Sequence, residues 1–188
     1  MTRLCLVRHG QTDWNVQGRW QGNSDQPLNS VGLAQAAQVA SELGGQYFAA
    51  IYSSDLLRAR VTAQIIAHNL NLPVLIEPCL REINMGEWEG KLGVDIPALY
   101  PCEWANRLRY PCESHPPGGE SLIDLSKRVV DVIIELSRNY PDAPILIVSH
   151  GLALAVLLCH AWAIPLEQAY DHIPKNARAT WLDWLEEQ

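Results

Sequence analysis

Short unbroken apolar runs alternate with longer stretches of helix-spaced apolar residues along this chain of 188 residues. Arg3 to Val7, Ala49 to Ser53, Val74 to Ile76 and Ile145 to Val148 read as buried strands bounded by polar or turn residues. The segments between them carry helical patterns. One runs from an Asn29 or Ser30 cap through Leu33, Ala36, Val39 and Leu43 to the stop at Gly44-Gly45. A second is expected to be capped by Ser54-Asp55 and carries Leu57, Val61, Ile65 and Ile66. A third opens on Ser121 and Asp124, which approximate a capping box, and ends before Pro141-Asp142-Ala143-Pro144. A fourth runs from Leu152 to about Trp162, and Ala179 to Leu185 offers a closing strand. Strands alternating with helices predict a three-layer α/β/α sandwich with a mostly parallel sheet, whose ligands bind beyond the carboxyl ends of the strands.

Leu92 to Gly119 breaks the alternation. It holds five of the chain's 12 prolines together with Tyr100, Trp104 and Tyr110. It is too aromatic for a solvated linker, so residues 1–188 are expected to form a single domain, with 92–119 as a lid or substrate-covering insertion.

Composition narrows the partners. The net charge of −7 argues against nucleic acid or an anionic membrane surface. Yet the 14 basic residues comprise 11 Arg and only three Lys, which favours fork-like binding of phosphate or carboxylate at some local site. The apolar stretch at Leu4 to Val7 is too short for a signal peptide, and no run is long enough to span a bilayer. Five cysteines without a CxxC pair or metal-ligand spacing fit a cytoplasmic chain. The echo of Tyr100-Pro101-Cys102-Glu103 in Tyr110-Pro111-Cys112-Glu113 leaves a facultative Cys102–Cys112 disulfide as a minor alternative to coincidence.

Two of the strands end alike: Val7 leads to Arg8-His9-Gly10, and Val148 leads to Ser149-His150-Gly151. In a parallel sheet both histidines would emerge at the same edge. A lone histidine at a strand end is usually an ordinary surface residue. Each tripeptide, however, has only about a 1% chance of arising in a chain of this size from average composition. Each glycine would let backbone approach a ligand, and the helix start behind His150 aims free N–H groups at the same place.

Leu6-Val7-Arg8-His9-Gly10-Gln11-Thr12-Asp13-Trp14-Asn15 resembles the signature of the histidine phosphatase superfamily, the branch of the cofactor-dependent phosphoglycerate mutases and small phosphatases. The similarity continues in order through Gln21-Gly22, Asp25-Gln26-Pro27-Leu28, Ser53-Ser54-Asp55-Leu56-Leu57-Arg58-Ala59, Leu80-Arg81-Glu82, Trp88-Glu89-Gly90, Gly118-Gly119-Glu120-Ser121 and Ser149-His150-Gly151. The resemblance implies a phosphoglycerate mutase-like fold and His9 as a nucleophile that carries the phosphoryl group. Imidazole attacks only when neutral, so one ring nitrogen must be free while the other is held, as by a backbone carbonyl. Arg8 and Arg58 would clamp the phosphoryl oxygens, with His150 and Asn15 as further donors and Gln21, Gly22 and Gly151 around the phosphate; no cofactor or metal is implied. A carboxyl with a raised pKa must protonate the leaving alkoxide and then activate water. Local composition leaves Glu82, Glu87 and Glu89 open; the family position falls on Glu82.

Phosphatase and mutase share this core. The short chain, Gly86-Glu87-Trp88-Glu89-Gly90 and a lid with only Arg107 and Arg109 as cations after Lys91 resemble the phosphatases. The expectation is a metal-independent hydrolase of small phosphomonoesters, with phosphoglycerate mutase as the alternative and a non-catalytic phosphate-binding protein as the contrasting class. Arginines beside both histidines disfavour zinc, and no G-x-G-x-x-G follows the first strand. Trp14 and Trp20 would wall the substrate or pack in the core, Trp162, Trp181 and Trp184 would pack, and His115 could line the site. His68, His160 and His172 read as structural or exposed.

Overall fold

In a computed structural model, residues 1–185 are described. The chain runs β1 (Thr2–Arg8), α1 (Asp13–Gln17), α2 (Ser30–Glu42), β2 (Ala50–Ser53), α3 (Leu57–Leu70), β3 (Val74–Ile76), α4 (Ile96–Leu99), α5 (Pro101–Arg109), α6 (Leu122–Asn139), β4 (Ile145–Ser149), α7 (Gly151–Ala161) and β5 (Ala179–Trp184). Single 3-10 turns at Pro78–Leu80 and Gly86–Trp88 and a longer 3-10 segment at Leu166–His172 join them. The five strands are ordered β3-β2-β4-β1-β5. Every pairing is parallel except β1 with β5, which closes one edge antiparallel. This is the expected α/β class with a mostly parallel sheet.

Strand period explains the layers. Cys5 and Val7 of β1, with Leu146 and Val148 of β4, face the core built by α2 and α3. Leu4, Leu6, Ile145 and Ile147 point the other way, into the core with α6 and α7. All eight side chains are fully buried, as strands covered on both faces require. Helix α7 is apolar on every side and buried from Gly151 to Cys159, whereas α6 buries one face and starts with the Ser121–Asp124 capping box.

Three local expectations are corrected. Residues 92–119 are not irregular: they hold α4 and α5, each with a proline in its first turn, where the missing N–H costs nothing. Ser54-Asp55 does not cap α3; Leu56 occupies that position without a side-chain cap, and Ser54 is fully buried for another purpose. Trp162 is half exposed rather than packed, while Trp184 is buried and Trp181 stacks on Phe48. Cys102 and Cys112 are both free thiols.

Candidate active site

Because β1 and β4 are neighbours with Arg8 opposite Ser149, the residues that follow each strand leave the sheet side by side. The His9 and His150 rings come to rest 5.2 Å apart between centroids. His9 is buried and its Nδ1 lies 2.7 Å from the Gly10 carbonyl oxygen. A carbonyl only accepts, so Nδ1 carries the proton of the neutral ring and Nε2 keeps its lone pair. Burial, then Arg58 and Arg8, holds the His9 pKa well below 6.5, which keeps the ring neutral at physiological pH. His150 is depressed in the same direction, first by burial and then by Arg58, His9 and Arg8. Its Nε2 meets the Ser54 hydroxyl at 2.8 Å, which is the use of that serine, and its buried Nδ1 has no partner among the described residues.

Arg8 and Arg58 are held by their outer nitrogens. Arg8 donates to the Pro174 carbonyl at 2.9 Å. Arg58, only 1% exposed, donates to the carbonyls of Ser24 at 2.8 Å and Gly22 at 2.7 Å. The Nε of each is buried without a partner among the described residues. Burial lowers both from 12.5, Arg58 to about 10, so both stay charged at neutral pH. Gly22, at φ +52°, has no room for a side chain, because a Cβ there would collide with Glu89 and the Met85 backbone. Gly10 is also sterically required, but its close neighbour is the Gly32 backbone and not a ligand.

Glu82 is placed by α7. Its Oε1 accepts from the Ile83 and Ala153 amides at 3.0 and 3.2 Å, and its Oε2 from Leu152 at 3.2 Å, so the carboxylate sits on the positive helix end. A Cβ built on Gly151 would lie 3.1 Å from Ile173 Cγ2 and 3.4 Å from both Glu82 Oε2 and Arg8 Cζ, so these three side chains meet over that glycine. Glu89 instead ties down Asn23 and Ser24 with bonds of 2.7 and 2.6 Å, and exposed Glu87 accepts from Tyr100 at 3.2 Å. Glu82 is the acidic residue that lines the pocket.

The pocket is a cavity of about 170 Å³. Arg8, His9, Asn15, Gln21, Gly22, Arg58, Glu82 and Gly151 line it, together with Arg19, Trp20, Met85, Leu152, Tyr170 and Ile173. Asn15 Oδ1 accepts from the Thr12 amide at 3.0 Å, and Gln21 Oε1 from the Thr12 hydroxyl at 3.0 Å, which leaves the amide nitrogens for the pocket. His150 is beside His9 and is not among the residues that line the cavity. Trp14 packs beside Gly90, and His115 lines a separate surface hollow. Arg19, Tyr170 and Ile173 carry no signal in the sequence; Tyr170 and Ile173 reach the site from a 3-10 segment and its end, which have no strong pattern.

The sequence model of the histidine phosphatase superfamily, branch 1, matches residues 4–188. The chain belongs to that superfamily. Phosphoserine phosphatase 1 of Hydrogenobacter thermophilus is 33% identical over 177 residues, covering 94% of this chain and 84% of its own. A probable phosphoglycerate mutase, GpmB, of Yersinia pestis is 39% identical over 171 residues, covering 88% and 77%. The solved structure of a mycobacterial glucosyl-3-phosphoglycerate phosphatase with VO3 superposes with a TM-score of 0.86 at 34% identity, covering 96% of this chain and 90% of that one. This histidine phosphatase therefore has a phosphatase fold as well as phosphatase relatives. Among its described residues, no group of three or more His, Cys, Asp or Glu is arranged to hold a metal ion.

Proposed function

We propose that this phosphatase hydrolyses small phosphomonoesters through a phosphohistidine on His9, without a metal cofactor. The observation that carries the reading is the 2.7 Å contact of His9 Nδ1 with the Gly10 carbonyl, which leaves Nε2 as the nucleophilic nitrogen of a neutral ring. Nε2 attacks phosphorus and forms a P–N bond as the ester P–O bond breaks. Glu82 supplies the proton to the departing alkoxide. Arg8, Arg58 and Asn15, which line the cavity, offer donors to the phosphoryl oxygens, where charge spreads in the transition state, and the Nδ1 of His150 beside His9, without a partner among the described residues, is a further one. Water then attacks the phosphohistidine, Glu82 takes its proton, and phosphate leaves with the P–N bond broken.

The cavity of about 170 Å³ is well under the roughly 300–1,000 Å³ of pockets for drug-sized ligands, which favours substrates with a short alcohol part. On this reading residues 1–188 act as one domain, and the 92–119 segment, none of whose residues lines the cavity, backs two of its walls through Arg107 against Trp20 and Tyr170. Five free cysteines favour the cytoplasm as its compartment. The alternative, mutase reading draws on the relatives named probable phosphoglycerate mutase GpmB and on the core that the two activities share. One experiment separates the outcomes: 32P-labelled substrate with acid and alkaline quench, in the presence of EDTA, scored for free phosphate and for 3- to 2-phosphoglycerate transfer. Acid-labile, alkali-stable label absent from His9→Ala is expected, with phosphate release surviving EDTA. A strict need for added divalent metal, or label retained in His9→Ala, would overturn the reading.

A further inference from the structure

The mechanism leaves one buried cation unused. Arg107, near the end of α5, is 9% exposed, and its guanidinium carbon lies 5.5 Å from the Trp20 ring, 5.5 Å from Trp88 and 4.8 Å from Tyr170. Burial without a compensating carboxylate lowers its pKa to about 10, so it remains charged. The three rings come from three separate segments. Two of them, Trp20 and Tyr170, line the active-site cavity.

Arg107 Nη2 donates to the Tyr170 hydroxyl oxygen. A guanidinium cannot accept, so the phenol's own hydrogen is directed elsewhere; it has no acceptor among the described residues, and Tyr170 borders the cavity. Tyr170 shares the cavity wall with the apolar side chains of Trp20, Met85, Leu152 and Ile173. Arg19 is occupied there by Gln17 at 2.7 Å and the Gly90 carbonyl at 2.6 Å.

We propose that Arg107 is a positioning residue that holds the Tyr170 hydroxyl as a hydrogen-bond donor toward the alcohol part of the substrate. The enzyme then favours small phosphomonoesters whose alcohol carries an acceptor oxygen, a hydroxyl or a carboxylate, over esters of plain hydrocarbon alcohols. This rests on the phosphatase reading above. A polar wall group that meets its partner rewards the right ester and is left unpaired by the wrong one.

The test compares kcat and KM for glycerol 3-phosphate, 3-phosphoglycerate and propyl phosphate, with p-nitrophenyl phosphate as the activity control. The proteins are the wild type, Tyr170→Phe, Arg107→Met and Arg107→Lys. The wild type is expected to prefer at least one acceptor-bearing ester over propyl phosphate by about tenfold in kcat/KM. Which of the two it prefers tells hydroxyl from carboxylate. Tyr170→Phe should collapse the preference to about twofold through KM, Arg107→Met should reduce it, and Arg107→Lys should restore part of it. Because each ratio is taken within one preparation, partial misfolding cancels. No preference in an active wild type, a preference that survives Tyr170→Phe, or an Arg107→Met that slows all three esters by one factor overturns the inference alone. Failure of the wild type on p-nitrophenyl phosphate and every other ester overturns the phosphatase reading and the inference together.

Discussion

His9 and His150 share one buried, cationic environment, with ring centroids 5.2 Å apart and both rings held neutral by burial and by the two arginines. In the unfolded chain each would titrate near 6.5. Below that pH the unfolded chain takes up protons that the fold refuses, so this stability is present in full above about 6.5 and is lost as pH falls toward the lower folded values. The slope approaches about 1.4 kcal/mol per pH unit per histidine. Asp55 and Asp124 also have lowered pKa values, but their contribution is lost only as pH falls below 3.8. Thermal melts should therefore show a Tm that is flat above pH 7 and drops by several degrees between 6.5 and 5. A combined His9→Gln, His150→Gln variant should flatten that drop. A wild-type Tm unchanged over this window would mean the rings accept protons in the fold.

Glu82 predicts a dependence on the leaving group. Glu82→Gln keeps an acceptor for the helix-end amides but has no proton to transfer. Turnover of an alkyl ester such as glycerol 3-phosphate should fall about 10²–10³-fold, in the range for a lost general acid. Turnover of p-nitrophenyl phosphate, whose leaving group hardly needs the proton, should fall far less. Equal losses on both esters would assign the acid elsewhere.

The parts of the fold and site legible in the sequence are those set by local pattern. The run Ile145 to Val148 announces a central strand because no residue in it could face water, and the two strand-end histidines follow once the strands are parallel neighbours. Ser54 was misread because a serine before a helix is ordinarily a cap, whereas its true partner, His150, lies 96 positions away. Helix α5 was missed because Arg107, the side chain that docks it, counts as polar in any hydrophobic pattern. Its burial depends on three aromatic rings gathered by tertiary structure. Glu82 could be singled out from Glu87 and Glu89 only by family position, since what distinguishes it is the end of α7 folded over from residue 151 onward.

Arg58 separates charge from geometry at the phosphate end. Two of its nitrogens bind the Ser24 and Gly22 carbonyls, and the planar fork can do this while Nε stays buried without a partner among the described residues, on a side chain that lines the cavity. Arg58→Met should lower kcat by about 10²–10³, the scale for loss of one preorganised donor to developing charge. Arg58→Lys should recover only part of it. A lysine begins near 10.4, and burial would bring it closer to neutrality than the value of about 10 that arginine keeps here. Full recovery by lysine would show that a point charge suffices and that the fork is incidental. Phosphate product inhibition should weaken alongside kcat in both variants.

Arg128 on α6 reaches the backbone that carries Glu82 from behind. It pairs with Glu120 at 2.8 Å, and its guanidinium donates to the carbonyls of Cys79 at 2.7 Å, Arg81 at 3.1 Å and Glu82 at 3.4 Å. Glu120 in turn accepts from the Asn84 amide at 3.2 Å, so the pair clamps the segment on both sides of Glu82. Arg128→Met leaves those carbonyls and Glu120 without their donor, which should lower stability by about 1–3 kcal/mol in denaturant melts. It should also loosen Glu82 without removing it. The kinetic mark is then that of Glu82→Gln at reduced amplitude: a loss of about tenfold on alkyl esters, little loss on p-nitrophenyl phosphate, and an unchanged yield of label on His9. Stability lost with both esters slowed in proportion would limit Arg128 to holding the fold. A leaving-group dependence in a variant that keeps Glu82 would show that the position of the carboxylate, set from α6, governs the proton step.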